Sequence, residues 1–197
     1  MLFRSYEYRH NIQPSSFVEV NKAWRNFTLD LYAQPRVNDF YETVERLPDV
    51  KLTGLRQQLG ELPLYYESES SLGYYQHKFA ENSTNAFGAF RGDTFHQILW
   101  PQNYFNWLNF TPRVGGRFTR YGETDGVNST FTEQNRVVFN TGAEVSTKAS
   151  RVWPGAKNEF WQVDGLRHIV EPSFNYVFVP HPTARVRELP QFDYELP

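Results

Sequence analysis

Cysteine is absent from this chain of 197 residues. That absence excludes a disulfide framework, a thiolate metal site and a cysteine nucleophile. No run of about 18 apolar residues occurs either, so no transmembrane helix is expected. A charge excess of either sign is also missing. The net charge of −2 provides neither a polybasic nucleic-acid footprint nor an acidic tail. His10, His77, His96, His168 and His181 lie far apart without ligand spacing, so neither a metal nor a cofactor is expected. The start, Met1-Leu2-Phe3-Arg4-Ser5-Tyr6-Glu7, has no apolar core and does not read as a signal peptide.

Apolar residues make up only 40% of the chain, yet aromatics reach 17%. Tyrosine and phenylalanine thus carry much of a load that Leu, Ile and Val bear in a soluble core. Polar-lumen transmembrane barrels with aromatic girdles have such a profile; so does a carbohydrate-binding β-sandwich. Helical periodicity is nearly absent, and 12 prolines with 12 glycines are spread along the chain, which disfavours long helices. Period two recurs instead. In 108–121 one face carries Leu108, Phe110, Pro112, Val114, Gly116 and Phe118, and the other Asn109, Thr111, Arg113, Gly115, Arg117 and Thr119. Alternation places these sets on opposite sides of a strand. The strand is long, as an oblique crossing of a bilayer requires.

Eight strands are expected: 16–24, 26–37, 49–59, 63–79, 92–100, 107–121, 135–152 and 166–180, with a bulge near Thr53-Gly54 where the phase changes. Connections alternate short (Arg25, 60–62, 101–106) and long (38–48, 80–91, 122–134), the rhythm of turns and loops in an outer-membrane barrel. The stretch 153–165 breaks it. Prolines 35, 112 and 172 fall inside strong strands although proline cannot donate to a ladder. The expected fold is all-β: an antiparallel transmembrane β-barrel, present as an incomplete arc of about eight long strands. The chain reads as one partial barrel domain over 1–197, with strands in about 16–180 and 181–197 as a loop or the start of the next strand. Without a leader of its own it reads as a fragment.

Arg113, Arg117, Arg136, Glu144, Lys148, Arg167 and Glu171 form the expected lumen-facing polar wall, where charges screen one another; as a face, the arginines suit phosphorylated sugars. Trp100, Tyr104, Trp107, Tyr121, Trp153, Trp161 and Tyr176 lie near expected strand ends and read as interfacial aromatics. Catalytic constellations are not apparent. His168 and Glu171, like Asp93 and His96, are three apart and point to opposite sides of a strand. No Gly-x-Ser-x-Gly elbow occurs. Glu67 and Glu69 share a strand face, which a glycosidase could use, but such carboxylates are more often solvated.

The order of motifs resembles a family. Leu47-Pro48-Asp49-Val50, Arg91-Gly92-Asp93-Thr94-Phe95-His96 with Leu99-Trp100-Pro101, Leu108 to Pro112 and Thr119-Arg120-Tyr121 come first. Then Leu166-Arg167-His168-Ile169-Val170-Glu171-Pro172 runs into Tyr176-Val177-Phe178-Val179-Pro180, and Phe192-Asp193-Tyr194 follows. The series is similar to the LPS-assembly outer-membrane proteins (the LptD, or organic-solvent-tolerance, family) over most of 26–195, in the middle of that family's barrel. The resemblance implies location in the outer membrane of a Gram-negative bacterium, lipopolysaccharide and the bilayer as partners, and insertion of lipopolysaccharide into the outer leaflet. It also implies a plug lipoprotein and periplasmic lipopolysaccharide-transport proteins as partners, and no bond chemistry. Two other classes stay open: another outer-membrane barrel, either a porin or a barrel hydrolase, and a soluble carbohydrate-binding β-sandwich.

Overall fold

The computed structural model describes residues 16–80, 86–126, 132–190 and 192. Their strands are β1 (Val18–Ala23), β2 (Phe27–Gln34), β3 (Thr43–Gln58), β4 (Tyr65–Lys78), β5 (Phe87–Leu99), β6 (Gln102–Tyr104), β7 (Leu108–Tyr121), β8 (Asp125–Gly126), β9 (Gln134–Thr147), β10 (Ala149–Asn158), β11 (Val163–Val170) and β12 (Ser173–Phe178). One 3-10 turn, Val186–Glu188, follows. The protein is all-β and antiparallel. Eight strands form one sheet in the order β1-β2-β3-β4-β5-β7-β9-β12, with β6 on β7 and β8 on β5, while β10 and β11 pair with each other. Chain order and sheet order coincide, so this is an up-and-down meander. Among the described residues it does not close into a barrel: β1 and β12 are its two edges. The strands that touch are ladder neighbours, so they build one curtain rather than two stacked layers.

Long unbroken ladders hold the sheet. β7 pairs with β9 from Leu108–Thr147 to Tyr121–Gln134 without a shift, and β4 with β5 from Tyr65–Leu99 to His77–Phe87. Four observed boundaries correct the expected ones. β3 begins at Thr43, so the connection before it is shorter than expected, and β5 begins at Phe87 rather than at residue 92. The stretch 153–165 is mostly strand: β10 and β11 continue the register of β9 and β12 and meet in a tight turn at 159–162. The connection 101–106 holds β6 and runs into a three-residue turn, 105–107, in which Phe105 and Asn106 have φ of 57° and 58°. Positive φ at both positions gives the turn the twist of the strands it joins. The bulge near Thr53-Gly54 appears as a register shift between Gly54 and Gln57, and a second lies between Arg46 and Asp49 at Leu47-Pro48.

The prolines fit where a donor is not needed. Pro35 follows the end of β2, and Pro172 sits in the break between β11 and β12. Pro112 lies inside β7 but between the ladders to β5 and β6. The Trp100 N–H donates to the Pro112 carbonyl (2.9 Å) and the Thr147 N–H to the Pro172 carbonyl (3.2 Å). Pro112 and Pro172 each accept one bond where a normal residue would also donate one.

The segment after β12 is neither a strand nor a free loop. The Thr183 N–H donates to the Val137 carbonyl (3.2 Å), and the Val137 N–H donates to Thr183 Oγ1 (2.9 Å). These bonds carry the chain over β9. Ala184, Leu189 and Phe192 then pack with Tyr75, Ala89 and Tyr121, next to Val44 and Phe87. Leu189 is fully buried. This strap is the apolar core of the described protein, and it covers one face of the sheet beside the long connections.

Gly142 tests the β9–β12 edge. A Cβ there would overlap the main-chain oxygen of Tyr176, which cannot turn away as a side chain would. Gly142→Val is expected to cost about 1–3 kcal/mol through forced strand separation. Gly92→Ala is the control, since its Cβ would meet only Leu72 Cδ1 at 3.7 Å. Chemical unfolding of both variants checks this; equal midpoints would refute the close approach.

Candidate functional site

Alternation along the ladders sorts the side chains into two faces. The covered face, where the strap lies, carries Asp30, Lys51, Glu67, Glu69, Asp93, Gln97, Arg113, Arg117, Thr119, Arg136 and Glu144. The open face carries Val20, Leu31, Leu52, Leu72, Phe90, Ile98, Val114, Phe118, Val137, Phe139, Phe174, Tyr176 and Phe178. The burial is the reverse of a water-soluble sheet. Asp93, Gln97 and Thr119 are at most 7% exposed, whereas Leu72 and Phe90 are 60% exposed and Phe174 66%. In water a half-covered antiparallel sheet hides its apolar face.

Charge on the open face is confined to its ends. Lys22 lies beside the β1–β2 turn, and Glu45, Lys78 and Arg120 lie beside the long connections. Lys78 pairs with Glu45 (2.7 Å) and Arg120 with Glu133 (2.6 Å). Between them the band is free of carboxylates, ammonium and guanidinium groups. From Leu108 to Phe118 the strand rises about 33 Å at about 3.3 Å per residue. A tilt of about 40° turns that into a band about 25 Å tall, the height of the apolar girdle of an outer-membrane barrel. Polar side chains within the band satisfy one another. Tyr66 Oη lies 2.5 Å from His96 Nδ1, Thr94 Oγ1 lies 2.8 Å from His96 Nε2, and the Ser70 and Thr94 hydroxyls are 2.8 Å apart.

On the covered face a charge network crosses four strands. Lys51 Nζ is 2.9 Å from Glu69, Arg117 Nη2 is 3.7 Å from Glu69, and Arg117 Nε is 2.8 Å from Asp93. The Thr119 hydroxyl donates to Asp93 at 2.5 Å. Each carboxylate therefore answers at least one cation, which lets charges sit where a lone one would be costly. Arg56 pairs with Glu67 at 3.1 Å. Glu67 and Glu69 do share this face, but both are engaged by cations, an arrangement suited to structure more than to acid–base work.

The expected lumen residues divide. Arg113, Arg117, Arg136 and Glu144 stand on the covered face of β7 and β9; Arg136 is buried and Arg113 Nη2 donates to Asn175 Oδ1 at 2.7 Å. Lys148, Glu171 and Arg167 keep the same alternation but lie past the last rung of the eight-stranded sheet. Lys148 and Glu171 form an exposed ion pair at the break, and Arg167 stands opposite Val152 on the hairpin. Among the described residues the β10–β11 hairpin has no further strand beside it, so these three form no wall with the others. Asp93, Glu69 and Lys51 are the residues sequence reasoning missed as a set. Their alternation was visible, but their adjacency depends on register across β3, β4, β5 and β7.

The aromatics divide too. Trp100, Tyr104 and Trp107 are exposed around the β5–β7 turn. Tyr121 is 2% exposed and belongs to the strap core, which corrects its reading as interfacial: its odd position puts it on the covered face. Tyr176 stands opposite Ala143 on the open face, well inside the β9–β12 ladder, not at a strand end. Trp153 and Trp161 lie on the β10–β11 hairpin, where Trp153 stacks on His168 at 6.2 Å. His168 and Glu171 do not meet, and Asp93 and His96 lie on opposite faces.

No protein-family model matches this chain, and no curated protein matches it.

Proposed function

We propose that this chain is a stretch of an outer-membrane β-barrel in the machinery that inserts lipopolysaccharide into the outer leaflet. The observation that carries the membrane part is the inverted amphipathicity: an apolar band without carboxylates, ammonium or guanidinium groups on the open face, and a charge network around the buried Asp93 on the covered face. Lipid takes the place of a missing core against the open face. The saccharide of the amphiphile passes along the polar face, and the acyl chains stay at the lipid side. The order of motifs from Leu47-Pro48 to Phe192-Asp193-Tyr194 supports the lipopolysaccharide part. On this reading the partners are lipopolysaccharide, the bilayer, a plug lipoprotein and periplasmic lipopolysaccharide-transport proteins, and the barrel breaks no bonds. Open edges at β1 and β12 are not viable in lipid, so strands beyond these eight complete the barrel.

Cysteine labelling of the completed barrel tests the membrane part. Single cysteines placed along 108–121 in the protein in vesicles are expected to alternate. Phe110→Cys, Val114→Cys and Phe118→Cys resist a water-soluble maleimide, whereas Thr111→Cys and Arg113→Cys react. Equal labelling on both faces would sink the membrane reading. A photo-crosslinking residue at Gln97, in cells, is expected to capture lipopolysaccharide, and one at Phe139 is not. An inserted protein without such capture would leave a barrel of another kind, a porin or a hydrolase.

A further inference from the structure

One connection at the short-turn end does not turn back with the others. From Phe178–Thr141 to Leu166–Trp153 the β9–β12 and β10–β11 ladders keep one register, with no residue gained or lost. β7, the strand beside β9, stops at Leu108–Thr147. Past that rung the hairpin runs on as an arm, and among the described residues β10 and β11 pair only with each other. From Thr147 to Trp153 the arm rises about 20 Å along the strand, or about 15 Å along the axis of a barrel whose strands tilt by about 40°. The headgroup layer on one side of a bilayer is about 5–8 Å deep. Val152 and Leu166, at the far part of that stretch, are exposed and lie in water rather than in lipid.

The two outer edges of the arm are unlike. The Thr147 N–H donates to the Pro172 carbonyl, and inward-facing and outward-facing peptide groups alternate along an antiparallel ladder. Ala149, Arg151 and Trp153 therefore turn theirs toward β11, and Ser150, Val152 and Pro154 turn theirs out. On β10 the outward row ends at Pro154, which has no N–H, and the register shift between Trp153 and Lys157 follows it. Both features close an edge to pairing. On β11 the outward row runs through Arg167 and Ile169 with its donors and acceptors complete. Asp164 is held by Lys157 at 2.9 Å, whereas Arg167 has no carboxylate partner among the described residues.

We propose that β11 is a receptor edge, to which an extended segment of another protein on the short-turn side adds as a further strand, with a carboxylate opposite Arg167 and apolar residues beside Leu166 and Ile169. The free peptide groups select an extended chain. The exposed Leu166 and Ile169 select apolar cross-strand neighbours, and the guanidinium selects an acid. In outer-membrane barrels the short turns face the periplasm, so on the membrane reading the partner is periplasmic. The edge itself does not depend on that reading.

Short fluorescent peptides of alternating valine and threonine test this, one with glutamate and one with lysine at the centre. Fluorescence anisotropy with the completed barrel in detergent reads their binding. The glutamate peptide is expected to bind about tenfold more tightly than the lysine peptide. Arg167→Glu is expected to invert that order, which a misfolded arm would not do. Ile169→Pro removes an outward N–H of β11 and is expected to weaken binding about tenfold. Val152→Pro removes the corresponding N–H of β10 and is expected to leave binding unchanged. Equal affinities of the two peptides, or a loss through Val152→Pro instead, would overturn the proposal. So would absence of binding: a dimer that Ile169→Pro dissolves would give the edge to a second copy of this chain, and a monomer would give it to the protein's own next strand. Peptide binding by a chain whose labelling along 108–121 does not alternate would keep the receptor edge and remove the membrane reading.

Discussion

Asp93→Ala is expected to lower stability by about 3–5 kcal/mol, the largest effect of any single polar change in the sheet. The Asp93 side chain is 5% exposed. It accepts from Arg117 at 2.8 Å and from Thr119 at 2.5 Å. Removing it leaves a guanidinium with only the longer contact to Glu69 at 3.7 Å, and a buried hydroxyl without its acceptor. Asp93→Asn keeps an acceptor and is expected to cost less, about 1.5–3 kcal/mol for a charged hydrogen bond made neutral. Arg117→Met combined with Asp93→Leu is expected to recover much of the loss, because both charges leave together. Denaturant unfolding of the parent, Asp93→Leu, Arg117→Met and the double variant gives the coupling energy, and Asp93→Ala and Asp93→Asn are unfolded beside them. A cost below about 1 kcal/mol for Asp93→Ala would show that water replaces the carboxylate and that the covered face is wet at this point.

The second large effect concerns the strap. Leu189 is fully buried with Phe192 and Ala184 against Tyr75, Ala89 and Tyr121. Leu189→Ala is expected to cost about 2–5 kcal/mol. The loss is expected to appear as release of the strap while the ladders remain, because the strap's backbone bonds to the sheet run through Thr183 and Val137. A cost of about 2 kcal/mol multiplies the released population about 30-fold, and cleavage follows that population when reclosing is fast. Arg185 and Arg187 offer trypsin sites in the strap. Trypsin cleavage there is expected to rise by that factor or more, with the strand circular dichroism unchanged. Simultaneous loss of the ladders would show instead that the strap is integral to the sheet's folding unit.

The Asp93 network and the strap are neighbours on the covered face, since Asp93 pairs with Thr119 two residues from Tyr121, and together they stand in for a second sheet. Across β3, β4, β5 and β7 the charges of Lys51, Glu69, Asp93 and Arg117 answer one another; at the long-connection end, where Tyr75, Phe87 and Tyr121 make it apolar, the strap supplies the missing layer.

The sequence by itself determined the strands and the side of each one on which a residue stands. Alternation is local, a consequence of the pleat. So β7 falls within a residue of its expected limits, Arg113 and Arg117 share a face with Arg136, and His96 is separated from Asp93. Tertiary structure alone decided which residues become neighbours and which face is hidden. Asp93, Arg117, Glu69 and Lys51 meet only because four ladders set their register. Tyr121 left the expected girdle because a segment some sixty residues downstream folds over it. Lys148, Arg167 and Glu171 left the expected wall because the β7–β9 ladder ends at Leu108–Thr147 and the hairpin runs on past it as a pair. Alternation needs only the residue next door, whereas register, coverage and ends depend on contacts between residues distant in the chain.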